Sequence, residues 1–159
     1  MTDGNLERNA ANDGRLREPE LPLHQKNIGN RRPIPESFYE SVGGAEVFER
    51  IVRDFYSRVV TDDVLWPMYP QDDLEGAIDR LSKFFIQFWG GPGWYSEERG
   101  HPRLRMRHFA FKVNPLARDR WLLHMNAAIR AEQLAPIYEE SFLDYVDRAA
   151  RMLVNTFED

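Results

Sequence analysis

An all-α domain is what this sequence predicts, on three observations. Apolar residues recur at helical spacing in four long segments. No segment sustains the period-two alternation of a half-buried strand. Residues that start or stop helices stand between those segments.

The elements follow in chain order. Ser37-Phe-Tyr-Glu40 has capping-box spacing and starts a short helix, which Gly43-Gly44 ends. Phe48, Ile51, Val52, Phe55, Tyr56, Val59 and Val60 then fall on one face of a second helix. Asp62, Asp63, Pro67 and Pro70 break the pattern into a turn-rich link. Asp72-Asp73 can cap a third helix, whose stripe is Leu74, Ala77, Ile78, Leu81, Phe84, Phe85 and Phe88. Gly90-Gly91-Pro92-Gly93 stops it. A polar, arginine-rich stretch runs to about residue 110. Asn114-Pro115 reads as the cap and first residue of another helix, with Ala117, Trp121, His124, Met125, Ala128 and Ile129 on one face. The last helix starts near Pro136, with the stripe Tyr138, Phe142, Tyr145, Val146, Ala149 and Leu153. Four substantial helices and short extras result, without an internal repeat.

Composition bounds what such a domain can do. The 159 residues are one domain's worth, and 42% hydrophobic with 13% aromatic content is enough for a packed core. The net charge of −5 argues against non-specific nucleic-acid binding, which favours a basic surface. No apolar run approaches the roughly 18 residues of a membrane span. Absence of cysteine excludes disulfides, thiolate metal sites and thiol catalysis. Met1 to Ala10 show no signal-peptide pattern, so a cytoplasmic protein is the expectation. Residues 1–36 hold four prolines and no aromatic residue, and their six basic and six acidic residues cancel. That composition predicts a flexible N-terminal extension, with a docking arm as the alternative, and a folded domain over 37–159.

Candidate chemistry begins with histidine. His24, His101, His108 and His124 form no His-x-x-x-His pair, and Glu98-x-x-His101 is a single Glu-x-x-His without the second copy a di-iron site needs, so no zinc or di-iron pattern exists. The run Arg99-Gly-His-Pro-Arg-Leu-Arg-Met-Arg-His108 stands apart. Arg103, Arg105 and Arg107 step by two and sweep about 400° around a helix, so they make no flat basic face. Leu104, His108 and Phe111 share one side and turn His108 inward, with cations at the rim. Two readings fit: a core histidine bonded to a backbone carbonyl, or an iron ligand of a haem whose propionates pair with arginine. Tyr56, Tyr69 and Trp121 place polar groups on apolar faces. Buried, they either bond nearby carbonyls or aim at one ligand.

With those residues in view, the sequence resembles the group II truncated haemoglobins, the actinobacterial-type oxygen-binding globins. The likeness spans about residues 37–157. Carrying it are Ser37-Phe-Tyr-Glu-Ser-Val-Gly-Gly44, Phe55-Tyr56, Met68-Tyr-Pro70, Asp72-Asp-Leu74, Phe88-Trp-Gly-Gly-Pro92, Tyr95-Ser-Glu97, the run from Arg99 through His108 to Phe109, Arg118-Asp-Arg-Trp121 and Val154-Asn155.

The resemblance implies a truncated globin: a two-over-two helical sandwich around one non-covalent haem b, iron protoporphyrin IX. It makes His108 the proximal iron ligand, with the Leu104 carbonyl the natural acceptor for its Nδ1–H. On the opposite, distal side it places Tyr56, Tyr69 and Trp121 as donors, Ala77 where a distal histidine often stands, and Leu81 as a steric gate. Arg80 is expected at a propionate. Arg103, with Tyr95, His101 and Arg105, is expected near the other haem edge. Phe84, Phe85, Met106 and Phe111 are expected to wall the pocket.

Three functions follow as expectations. The first is reversible binding of oxygen, carbon monoxide or nitric oxide, with tight oxygen retention and, by family, oxygen transport. The second is a redox enzyme on the same haem, a nitric oxide dioxygenase or peroxidase that needs a separate reductase. The third is a haem-free helical interaction module. The sequence does not decide between a monomer and a homo-oligomer.

Overall fold

The structure, a computed structural model, describes residues 37–108 and 111–158. The N-terminal extension expected over residues 1–36 lies outside the described residues. Seven α-helices and one 3-10 turn make up the described part: α1 (Phe38–Val42), α2 (Ala45–Val59), the 3-10 turn (Trp66–Met68), α3 (Leu74–Phe88), α4 (Trp94–Arg99), α5 (Leu104–Arg107), α6 (Pro115–Ala131) and α7 (Pro136–Met152). The all-α prediction holds, and none of the described helices is long and apolar enough to cross a membrane.

The expected helix starts are built as the side chains dictate. The Ser37 hydroxyl accepts from the Glu40 N–H at 3.2 Å and caps α1. Asp73 and Asn114 cap α3 and α6 by accepting from Gly76 and Ala117 at 3.2 and 2.8 Å. Each such cap is worth about 1 kcal/mol. Gly43 ends α1 at φ 118°, a left-handed conformation that a β-carbon would strain. Gly91 is needed for close approach: a β-carbon there would lie 2.7 Å from both Ile86 and the Tyr39 ring.

Packing pairs the long helices. α2 lies against both α3 and α6, and α6 lies against α7. This is the two-over-two arrangement. The α2 stripe is its centre, with Phe48, Ile51, Val52, Phe55 and Val59 wholly buried. Each contributes about 1.5–3 kcal/mol by leaving water. Phe142 of α7 meets Phe85 of α3 edge-on, with ring centroids 5.2 Å apart. One stripe position differs from expectation. Phe88 is 48% exposed, because the last turn of α3 reaches the surface, where its ring stacks on Tyr145 at 3.9 Å.

The arginine-rich stretch differs more. It contains two helices, α4 and α5. Gln87 fastens the first to α3: its side chain accepts from the Ser96 N–H at 2.9 Å and donates to the Ser96 hydroxyl at 2.7 Å.

Candidate functional site

A cavity of about 340 Å³ lies among α2, α3, α6 and α7. That is within the usual size of small-molecule sites. Its walls are mainly apolar, with Ala77, Leu81, Phe84 and Phe85 from α3 and Val113, Val146 and Leu153 from the segments beside and within α6 and α7. Three kinds of polar group break them: one imidazole, a set of aromatic donors and a rim of arginines.

His108 is the imidazole. It is the half-buried residue that ends the four-residue helix α5. Its Nδ1 lies 2.7 Å from the Leu104 carbonyl oxygen, the acceptor anticipated from the sequence. A carbonyl can only accept, so Nδ1 carries the proton and a neutral ring keeps its lone pair on Nε2. No described residue bonds that Nε2. The turn beyond His108 is fastened from the far end of the chain. Asn155 Nδ2 donates to the His108 and Phe111 carbonyls at 3.3 and 3.0 Å, while Asn155 Oδ1 accepts from the Val113 N–H at 2.9 Å.

Tyr56 comes from α2, Tyr69 from the end of the 3-10 turn and Trp121 from α6. All three line the cavity. The tyrosine rings meet edge-on with centroids 5.4 Å apart. Burial pushes the Tyr56 hydroxyl far above the ordinary phenol range; Tyr69 adds to the rise and Arg80 opposes it. Burial pushes Tyr69 up to about 12, and the Trp121 indole, a donor toward that hydroxyl, offsets part of the rise. Both phenols are therefore neutral O–H donors near neutral pH. Three donors beside an apolar cavity can stabilise negative charge on a small ligand. Ala77 projects only a methyl group from α3, so no imidazole competes for that space.

The rim holds Arg80, Arg99, Arg107 and Arg118. Arg80 donates to Asp73 at 3.2 Å. Arg107 is held by the Pro102 and Arg99 carbonyls at 2.7 and 3.1 Å and lies over the Tyr95 ring. This set fits a flat, largely apolar cofactor with acidic groups at its edge and a metal that accepts one imidazole nitrogen.

Of the residues expected at the haem edge and walls, Arg80, Phe84, Phe85, Tyr95 and Phe111 line the cavity. His101, Arg103 and Met106 do not. Arg103 starts α5 at φ 45°, and its amide donates to His101 Nδ1 at 3.2 Å, so these two shape the helix entry. Met106 is 52% exposed: with Leu104 and His108 turned inward, the residue midway between them faces out. Arg105 also stays outside the lining. The sequence reading named Arg107 only among the cations around His108, and it did not name Arg99 or Arg118 as lining residues. Arg118 had a signal, because it lies three residues before Trp121 and so shares its face.

Comparison with known proteins agrees with this architecture. A family model of bacterial-like globins matches residues 37–155. The group 2 truncated haemoglobin of Bacillus subtilis is 36% identical over 120 residues, covering 76% of this chain and 89% of that protein. The X-ray structure of a thermostable haemoglobin from the actinobacterium Thermobifida fusca superposes with a TM-score of 0.75 at 51% identity, over 77% of this chain and 99% of that one. The truncated oxygen-avid haemoglobin from Bacillus subtilis superposes at 0.71 and 34% identity, over 76% and 100%. The helices and their cavity are thus of the globin class. Within that class the chain belongs to the bacterial-like globin family, among its group 2 truncated haemoglobins.

Proposed function

We propose that the cavity binds one haem b through His108 and that the protein reversibly holds a diatomic gas there, oxygen first, with carbon monoxide and nitric oxide as further ligands. The observation that carries this reading is the His108 ring: Nδ1 is tied to the Leu104 carbonyl and Nε2 has no partner among the described residues at the wall of an apolar cavity. When bound, haem supplies the iron that takes up the gas. His108 offers that iron a neutral nitrogen, whose electron density the Nδ1–H bond raises. Arg80, Arg99, Arg107 and Arg118 supply cations for two propionates.

Trp121, Tyr69 and Tyr56 line the cavity and would offer hydrogen-bond donors to a diatomic ligand held there. Each such bond contributes about 1.5–3 kcal/mol, roughly tenfold or more in escape rate. Leu81 restricts the space beside them. The site is therefore built for retention, which suits chemistry or sensing better than oxygen delivery. The Bacillus subtilis relative described as oxygen-avid supports the same direction.

Absorption spectra test the reading, taken ferric and dithionite-reduced, with and without carbon monoxide, on wild type and His108→Ala. A Soret band that shifts with carbon monoxide and is altered or lost in the variant is the expected result. A protein that stays colourless after haem is supplied overturns it.

A further inference from the structure

The carboxylate of Asp62 stands between two parts of the distal wall. Asp62 lies in the link after α2 and is 6% exposed. Its Oδ1 accepts from the Val64 and Leu65 N–H groups at 2.8 and 3.0 Å and from Arg120 Nη1 at 3.1 Å. Its Oδ2 lies 2.7 Å from His124 Nε2, which donates.

The backbone donors belong to the turn that leads to Tyr69. The Trp66 N–H donates to the Asp62 carbonyl at 2.9 Å, and the Tyr69 N–H donates to the Trp66 carbonyl at 3.1 Å. The side-chain donors belong to α6, where Trp121 follows Arg120 directly and precedes His124 by three residues. One carboxylate therefore joins the segment that presents the Tyr69 hydroxyl to the helix that presents the Trp121 indole. Arg120 is the looser member, shared at 3.2 Å with Asp63, whose side chain is 90% exposed. His124 is the more buried member, its side chain 16% exposed against 36% for Arg120.

We propose that Asp62 and His124 are positioning residues for the Tyr69 donor: their hydrogen bond sets Tyr69 against Trp121 and so sets how long the gas is retained. This rests on the haem reading above. A hydrogen bond to a developing charge weakens steeply once its angle or length departs from the optimum, so a small slip of the turn along α6 reduces retention without emptying the cavity.

The test uses haem-loaded protein and three variants, His124→Leu, His124→Gln and Asp62→Asn. Oxygen dissociation rates are measured in the wild-type and Tyr69→Phe backgrounds, and the Trp121 indole N–H resonance is followed by NMR. His124→Leu is expected to raise the rate about three- to tenfold, less than outright loss of a charge-assisted donor. His124→Gln keeps an N–H for Asp62 and is expected to return the rate to within about twofold. Asp62→Asn keeps an acceptor for the turn but replaces the charged acceptor facing His124 with an amide; it is expected to raise the rate over the same range, and it carries the test if His124→Leu does not fold. In Tyr69→Phe these changes are expected to have no further effect on the rate, because the donor they position is gone. The Trp121 resonance is expected to shift in His124→Leu and Asp62→Asn. An equal rise in both backgrounds, or an unchanged rate and resonance with only a lower melting temperature, overturns the proposal. Failure to form a Soret band overturns the haem reading, and this one with it.

Discussion

His108 Nδ1 and the Leu104 carbonyl oxygen lie 2.7 Å apart, across the only turn of α5. The acceptor is main chain, so the orientation of the ring depends on the helix and not on a second side chain. Removing the ring is expected to lower haem affinity by more than the roughly 10–100-fold typical of losing an outer-shell partner. His108→Gly should transfer haem to an acceptor globin faster, and added imidazole should restore the five-coordinate ferrous band. Unchanged transfer with wild-type spectra would remove His108 from the iron.

Trp121 and Tyr69 are expected to matter for escape more than for entry. In either Trp121→Phe or Tyr69→Phe the oxygen dissociation rate should rise about tenfold or more, the kinetic equivalent of one charge-assisted hydrogen bond. Stopped-flow displacement of oxygen by carbon monoxide measures it. A rate unchanged in Trp121→Phe would mean that the indole serves only Tyr69 and the packing against Phe55, whose ring centroid lies 5.3 Å away.

Local signals were enough for much of this molecule. Ser37, Asp73 and Asn114 announce helix starts that the structure then builds with their side chains. The i, i+3, i+4 stripe of α2 is the core itself. The sequence run ending in His108 marks a residue that does line the cavity. Helices of four and six residues escape such reading, because so few backbone bonds cannot outweigh nucleation and the holding contacts are distant in sequence. The Gln87–Ser96 clasp is one of these. Arg103 at φ 45° is another case: its left-handed backbone at the start of α5 has no sequence signature, and Arg103 and Arg105 lie outside the cavity lining while Arg99 and Arg107 belong to it. Asp62 and His124 were each visible, but 62 residues separate them, and no periodicity joins them.

Asn155 ties the C-terminal segment to the turn that follows His108, with three side-chain hydrogen bonds to main chain. Asn155→Ala leaves the Val113 N–H and the Phe111 carbonyl without their partner, while the His108 carbonyl keeps the Phe111 N–H at 3.0 Å. At about 0.5–1.5 kcal/mol each, partly recovered from water, the loss is expected to lower Tm by several degrees. Haem transfer should also accelerate, because the backbone on the C-terminal side of His108 loses its tie to Asn155. Melting with normal haem retention would show that the tie serves stability alone.

Asp62 should leave its mark on acid stability. Its burial by itself would push the carboxyl up, but the His124 hydrogen bond, the Leu65 and Val64 amides and Arg120 together hold it well below the ordinary carboxylate range. The folded state therefore binds this proton less readily than the unfolded chain, whose aspartate titrates near pH 3.9. A depressed folded value means that the stabilisation is fully present above the unfolded value. It is lost as pH falls below about 4 toward the folded value. Asp62→Asn cannot ionise, so at pH 7 it should be the less stable protein, by about 1–3 kcal/mol for a buried donor left poorly paired. The gap to wild type should close as pH falls from about 5 to 2, because acid removes from the wild type the charge that the variant never had. Urea unfolding at several pH values measures this difference directly. A gap that stays constant through that range would mean that the Asp62 carboxylate contributes by shape and not by charge.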